Sequence, residues 1–97
     1  MSYSASNIIT DLKILIPEIE EELAQRISGM PGDGSIKQLE HIRDELIQIL
    51  ESAKMDKIPE KSMRYTAFSR YVVDEWALDS VLGKKLCILA DKYKRLK

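Results

Sequence analysis

The fold is decided by residues 35–54, which read SIKQLEHIRDELIQILESAK. The apolar residues of this stretch recur every three or four positions, the spacing that places side chains on one face of an α-helix. They are Ile36, Leu39, Ile42, Leu46, Ile49, Leu50 and Ala53. Ser35 suits the start of a helix, because its side chain can accept a hydrogen bond from an amide of the first turn. The pattern predicts a helix from Ser35 to Lys54 with one buried face.

A second apolar stripe precedes this helix, in residues 8–27. Its members share one helical phase and are Ile8, Leu12, Leu15, Ile16, Ile19, Leu23 and Ile27. Ser6 or Asn7 can cap its start. Pro17 lies within the stripe, and a proline inside a helix removes a backbone hydrogen bond at a cost of about 3 kcal/mol. We therefore predict a first helix that is kinked or broken at Pro17, and we favour a break.

Residues 29–34, GMPGDG, separate the two stripes. Glycine and proline are both unfavourable inside a helix, so this segment is predicted to be a loop. A phosphate-binding loop would end in Gly-Lys-Ser or Gly-Lys-Thr, and this segment does not. We interpret it as a connector between two helices.

Two more helices are predicted in the second half of the chain. The third runs from about residue 60 to residue 76, with Pro59 at its start and a weaker stripe of Met63, Ala67, Phe68, Tyr71 and Val72. The last is capped by Asp79 or Ser80 and carries Leu82, Leu86, Leu89, Tyr93 and Leu96. The spacing of this last set is coiled-coil-like. The last helix is therefore expected to pack on the other helices or on a second copy of the chain, which leaves a homodimer open.

Together these elements predict a single all-α domain over residues 1–97, a compact bundle of four main helices. A chain of 97 residues is long enough for one domain and too short for two. Short connectors favour antiparallel neighbours. The predicted core consists of Leu12, Ile16, Ile19, Leu23, Ile27, Leu39, Ile42, Leu46, Ile49, Phe68, Val72, Leu82, Leu86 and Leu89.

Several classes of protein are disfavoured by composition. Cys87 is the only cysteine, which excludes an internal disulfide and the cysteine-rich zinc sites. No apolar run approaches the roughly 18 residues that a membrane span needs, and the first ten residues do not resemble a signal peptide. We expect a cytoplasmic protein that does not associate with a membrane.

No catalytic motif is recognisable. His41 is the only histidine, and neither His41 nor Cys87 has sequence neighbours that would make a general base, a reactive thiol or a metal site. The nucleophile-elbow, zinc-protease and dinucleotide-binding patterns are missing from the sequence. We therefore predict that the protein is not an enzyme and has no catalytic residues, metal or cofactor.

The charge is unevenly distributed along the chain. Residues 1–60 contain twelve acidic and six basic residues, a balance of −6, whereas residues 61–97 contain nine basic and four acidic residues, a balance of +5. The two halves can neutralise each other when they pack together. Alternatively, one half faces a partner of opposite charge.

The acidic residues provide the candidate partner surface. Glu40, Asp44 and Glu51 share one side of the second predicted helix, and Glu18, Glu21 and Glu22 lie together on the first. Such a surface can mimic phosphates and bind a basic protein. Trp76 is a further candidate, because tryptophan is enriched at interfaces, although a single tryptophan also suits the core.

The leading prediction is a non-enzymatic interaction module, such as a small bacterial inhibitor, immunity or antitoxin-type protein, that binds a basic protein through its acidic helices. The alternative is a nucleic-acid-associated regulator that uses the basic residues 61–97. It rests on Arg64-Tyr65 and Arg70-Tyr71, because arginines interleaved with aromatic rings can contact phosphates and stack on bases.

Overall fold

The computed structural model describes residues 3–64 and 66–96 of the chain. Within them the backbone forms four α-helices: α1 (Ala5–Ile27), α2 (Ile36–Lys54), α3 (Ala67–Glu75) and α4 (Val81–Arg95). A single 3-10 turn, Lys61–Met63, lies between α2 and α3, and these described residues contain no strand. The predicted all-α bundle of four main helices is thus confirmed.

Helix α1 is continuous through Pro17, so the break that we favoured at this residue is wrong. Pro17 itself is exposed, while Leu15, Ile16 and Ile19 beside it are buried. Burying one such side chain stabilises the fold by about 1.5–3 kcal/mol, so their combined burial outweighs the cost of the proline.

Helix α1 starts earlier than predicted. Ser4, rather than Ser6 or Asn7, is its cap: the Ser4 side chain accepts a hydrogen bond from the Asn7 amide, and Asn7 Oδ1 accepts one from the Ser4 amide at 2.9 Å.

Helix α2 matches its prediction closely. Ser35 caps it, with the Gln38 amide donating to Ser35 Oγ at 3.1 Å and the Ser35 amide donating to Gln38 Oε1 at 3.2 Å. Helix α4 is capped by Ser80, whose Oγ accepts from the Gly83 amide at 3.0 Å. Both starts could therefore be placed from local sequence.

The third helix is shorter than predicted. It begins at Ala67 instead of near residue 60, and Pro59 does not open it. Met63, assigned to its apolar stripe, lies in the 3-10 turn and is exposed. The start is fixed by Glu45 of α2, whose carboxylate oxygens accept hydrogen bonds from the Ala67 and Phe68 amides at 3.1 and 2.8 Å. Because this cap comes from a different helix, no sequence pattern near Ala67 marks the start of α3.

The helices pack in a ring, α1 on α2, α2 on α3, α3 on α4 and α4 back on α1. All of the predicted core residues are buried except Ile27 and Leu82. Ile27 is 66% exposed because it is the last residue of α1, and Leu82 is partly buried against the core. In the described part of the chain, no helix is long and apolar enough to cross a membrane.

Candidate partner surface

Three of the predicted acidic residues line one groove. Glu18, Glu21, Glu22 and Gln25 follow one side of α1, since spacings of three, four and seven residues return to the same helical face. They meet Asp33 of the following loop and the first turns of α4. The full lining of this groove, of about 360 Å³, is Glu18, Glu21, Glu22, Gln25, Asp33, Val81, Leu82 and Lys85. We call it the acidic groove, because its lining contains four acidic residues and one lysine.

The four carboxylates differ in how they are paired. Glu18 Oε1 accepts from Lys85 Nζ at 2.7 Å, whereas Glu18 Oε2 is buried and receives no hydrogen bond from the described residues. Glu22 pairs with Arg26, one turn further along α1. Glu21 is exposed and forms no ion pair with any residue that the structure describes. The groove therefore keeps an excess of negative charge.

Arg26 folds the glycine-rich loop against α1 and so places Asp33 at the groove. The Arg26 side chain is only 7% exposed, and its Nη1 donates to the Met30 carbonyl at 3.0 Å while its Nη2 donates to the Asp33 carbonyl at 3.4 Å. A side chain at Gly32 would collide with the guanidinium. The loop residues that looked like a simple connector thus help to build the acidic groove.

The acidic residues of α2 lie elsewhere. Asp44 is paired with its neighbour Arg43 at 3.1 Å and lines a separate groove between α2 and α3. Glu40 and Glu51 are exposed, but Lys37 and Lys54 are exposed one turn beyond them at the two ends of the stripe. The two sets of predicted acidic residues do not share a groove, and the α2 stripe is diluted by basic side chains.

Trp76 is part of the core. It is 6% exposed, and its indole Nε1 donates to Gln38 Oε1 at 3.3 Å. Gly34 packs against the ring: a Cβ at that position would lie 2.8 Å from Trp76 Cζ2. The indole is therefore not presented to a partner, and of the two interpretations of Trp76 its burial supports the core.

Arg64 is also internal, which weakens the nucleic-acid alternative. It is 7% exposed, and its guanidinium donates to the Pro59 carbonyl at 2.8 Å, to the Tyr93 carbonyl at 3.2 Å and to the Leu96 carbonyl. The contacts with Tyr93 and Leu96 satisfy carbonyls at the end of α4, where a cation also suits the helix dipole. Arg70 is exposed, and Tyr65 lies outside the described residues.

His41 and Cys87 do not form a reactive pair. His41 Nδ1 lies 3.1 Å from the Tyr71 hydroxyl, and the Glu45 carboxylate, one turn further along α2, accepts hydrogen bonds from the Ala67 and Phe68 amides. Cys87 is half-buried against the core. Among the residues that the structure describes, no three His, Cys, Asp or Glu side chains are grouped so that they could hold a metal ion.

Two exposed apolar surfaces flank α4, and neither was predicted from the sequence. One lies between α1 and α4 and includes Ile14 and Ile88. The other, of about 380 Å³, lies between α3 and α4 and includes Val73, Leu78 and again Ile88. The sequence contains one indication of these surfaces. Their large apolar residues fall outside the helical phase of the stripes that predict the core.

No protein-family model matches the sequence, and a search of curated proteins found none with significant similarity.

Proposed function

We propose that the protein is a non-enzymatic interaction module, of the inhibitor, immunity or antitoxin type, that binds a basic protein partner in the acidic groove. The observation that carries this proposal is that four acidic residues line one groove whose lining contains a single lysine. They are Glu18, Glu21, Glu22 and Asp33. A basic side chain of a partner is the ligand that such a groove attracts most strongly.

The pairing inside the groove indicates which carboxylates are available. Glu22 is committed to Arg26, and one oxygen of Glu18 is committed to Lys85. The other Glu18 oxygen is buried, so the exposed Glu21 carboxylate is the one that remains to accept from an arginine or lysine of the partner. Charge-assisted hydrogen bonds of this kind are shorter and stronger than neutral ones, and the negative groove also accelerates the encounter by electrostatic steering.

The charge test compares two neighbouring residues of α1. Glu20 and Glu21 are both exposed, and only Glu21 lines the acidic groove. A partner is first captured from nuclease-treated native lysate and purified, and its binding is then measured for the wild type, Glu20→Lys and Glu21→Lys. We expect Glu21→Lys to weaken binding about tenfold or more, because it places like charges across the interface. Glu20→Lys makes the same change in net charge and is expected to alter binding by less than about threefold, as for a peripheral charge.

Further variants separate this proposal from its competitors. Glu40→Lys with Asp44→Lys should leave binding nearly intact. If this pair abolishes binding while Glu21→Lys does not, the partner surface is the α2 stripe. If neither matters, the apolar surface around Val73 and Leu78 becomes the next candidate. Salt-dependent binding of random DNA, with no protein captured, would instead favour the nucleic-acid alternative.

A further inference from the structure

The outer surface between α1 and α4 has a regular arrangement of apolar and charged side chains. Ile14 of α1 and Ile88 of α4 form its middle, and they are 62% and 55% exposed. Leu15 and Leu89 form its floor. Its charged borders are Asp11 and Glu18 on α1 and Lys85 and Lys92 on α4. We call these eight residues the α1/α4 face.

The charges of this face are sorted by helix. Lys85 Nζ lies 2.7 Å from Glu18 Oε1, and Lys92 Nζ lies 3.9 Å from Asp11 Oδ2. Residue numbers rise along α1 as they fall along α4, so the two helices run antiparallel here. One long edge of the face is therefore acidic, the other is basic, and the two isoleucines lie between them.

Tyr3 covers one end of the face. Its hydroxyl donates to Asp11 Oδ2, and its ring lies 5.1 Å from Lys92 Nζ. Burial, followed by the hydrogen bond to Asp11, raises the pKa of the Tyr3 phenol. Tyr3 therefore remains a neutral donor, and it holds Asp11 at the acidic edge.

From this pattern we propose that the α1/α4 face is covered by a second copy of the chain, related by a twofold axis that runs parallel to the two helices. In that arrangement α1 of one copy lies over α4 of the other. Asp11 then faces Lys92 of the second copy, Glu18 faces Lys85 of the second copy, and Ile14 packs on Ile88 of the second copy. Every charge meets its opposite, as a self-complementary twofold interface requires.

The other twofold arrangement is disfavoured by the same charges. With the axis across the helices, α1 would lie over α1, so that Asp11 would face Glu18 of the second copy and the lysines would face each other. Like charges placed opposite one another across an interface are costly. The charge pattern thus selects one arrangement of the two copies.

The dimensions of the molecule allow a stable interface on this side. The protein measures 39 × 23 × 23 Å, and a specific interface covers about 800 Å² on each partner. Covering one long side of the bundle therefore meets that size. The α1/α4 face shares Glu18 and Lys85 with the acidic groove, whereas Ile14, Ile88, Asp11 and Lys92 lie outside that groove. Substitutions at these four residues therefore test the dimer without changing the lining of the acidic groove.

The apolar part of the proposal is tested by sedimentation equilibrium of the full chain. We expect the wild type to dimerise and Ile14→Asp to raise the dimer dissociation constant about thirtyfold or more, the effect of losing a central contact. Ile27→Asp is the matched control, because Ile27 is an isoleucine of α1 with similar exposure that lies away from the face. A wild type that is monomeric at about 100 μM, or a dimer disrupted by Ile27→Asp and not by Ile14→Asp, would overturn the proposal.

The pairing of charges across the interface is tested by exchanging the charges at positions 11 and 92. Lys92→Glu places acidic residues opposite Asp11 and should weaken the dimer, and Asp11→Lys combined with Lys92→Glu should restore it. Circular dichroism verifies that each variant is folded. If the double variant is no more dimeric than Lys92→Glu alone, the charges do not meet across the interface and the proposed arrangement is wrong.

The direction of the axis is tested by cross-linking. Chains carrying Ile14→Cys and chains carrying Ile88→Cys, each in a Cys87→Ser background, are mixed and oxidised. Disulfides between the two kinds of chain should exceed those between two Ile14→Cys chains. The reverse result would place α1 over α1 and contradict the proposed axis.

Discussion

Leu46 and Ile47 are adjacent on α2, yet they have opposite environments. Leu46 is completely buried, whereas Ile47 is 38% exposed. We expect Leu46→Ala to lower the free energy of unfolding by about 2–5 kcal/mol, because it removes apolar contacts and leaves a cavity. Ile47→Ala should cost about 1–2 kcal/mol at most, since more than a third of Ile47 is already exposed to water. Urea denaturation measures both, and a loss below about 0.5 kcal/mol for Leu46→Ala would show that the stripe faces solvent.

Gly34 is required for two reasons, its backbone conformation and its contact with Trp76. Its φ is +78°, and an added Cβ would lie 2.8 Å from Trp76 Cζ2. Gly29 has a similar φ of +89°, but nothing lies within 4 Å of its added Cβ. Gly29→Ala should therefore show only the backbone strain of about 1–2 kcal/mol. Gly34→Ala should cost at least about 1 kcal/mol more, because the ring must move.

The same pair has a spectroscopic test. Trp76 is the only tryptophan, so its fluorescence reports on this contact directly. Gly34→Ala should change the emission of the folded protein, and Gly29→Ala should leave it unchanged. Equal stability losses together with unchanged emission in both variants would show that the indole does not pack on Gly34.

For single residues, the sequence predicted most of the buried positions but not the contacts that individual polar side chains make. Periodicity identifies a face of a helix, and Leu46 lies at its centre. Ile27 has the right phase, but it lies at the end of α1, where little packs against it. Arg64 reads as a surface cation, and only the tertiary structure shows that it binds carbonyls at the end of α4.

The helices differ in how their starts are specified. Ser35 and Ser80 cap α2 and α4 from within the adjoining sequence, so local pattern sufficed there. Helix α3 receives its cap from Glu45, twenty-two residues before Ala67 in the chain. Sequence patterns of helix starts cover only a few neighbouring residues, which is why the predicted start near residue 60 was wrong.

The role of Glu45 gives a prediction at the scale of one helix. Glu45→Ala removes both hydrogen bonds to the first amides of α3 and should lower the free energy of unfolding by about 1–2 kcal/mol, the range for a lost helix cap. The amides of Ala67 and Phe68 should also exchange with solvent faster. Glu40→Ala is the control on the same helix, because Glu40 is exposed. If the two variants are equally stable and exchange at Ala67 is unchanged, α3 does not depend on this cap.

Across the whole molecule, the charge asymmetry of the sequence is neutralised only in part. The ion pairs of Lys85 with Glu18 and of Lys92 with Asp11 join the acidic half to the basic half. Other pairs, such as Arg26 with Glu22, lie within one half. Some charges therefore pair between the two halves, and others, including Glu21, remain exposed.

The acidic groove was also only partly predictable. Helical spacing placed Glu18, Glu21 and Glu22 together in advance. It could not supply Asp33, because Asp33 reaches the groove through the contacts of Arg26 with the loop. Nor could it show that Glu40, Asp44 and Glu51 lie apart from this groove, since that depends on how α1 and α2 pack.

Mapping the surface that the partner covers decides whether a basic protein binds in the acidic groove. Backbone amide NMR shifts of the labelled protein are recorded while the purified partner is added. We expect the largest changes at Glu18–Gln25, Asp33 and Val81–Lys85, and we expect them to diminish as salt is raised. Changes confined to Glu40–Glu51, or to Val73 and Leu78, with the acidic groove unaffected, would show that the partner binds elsewhere.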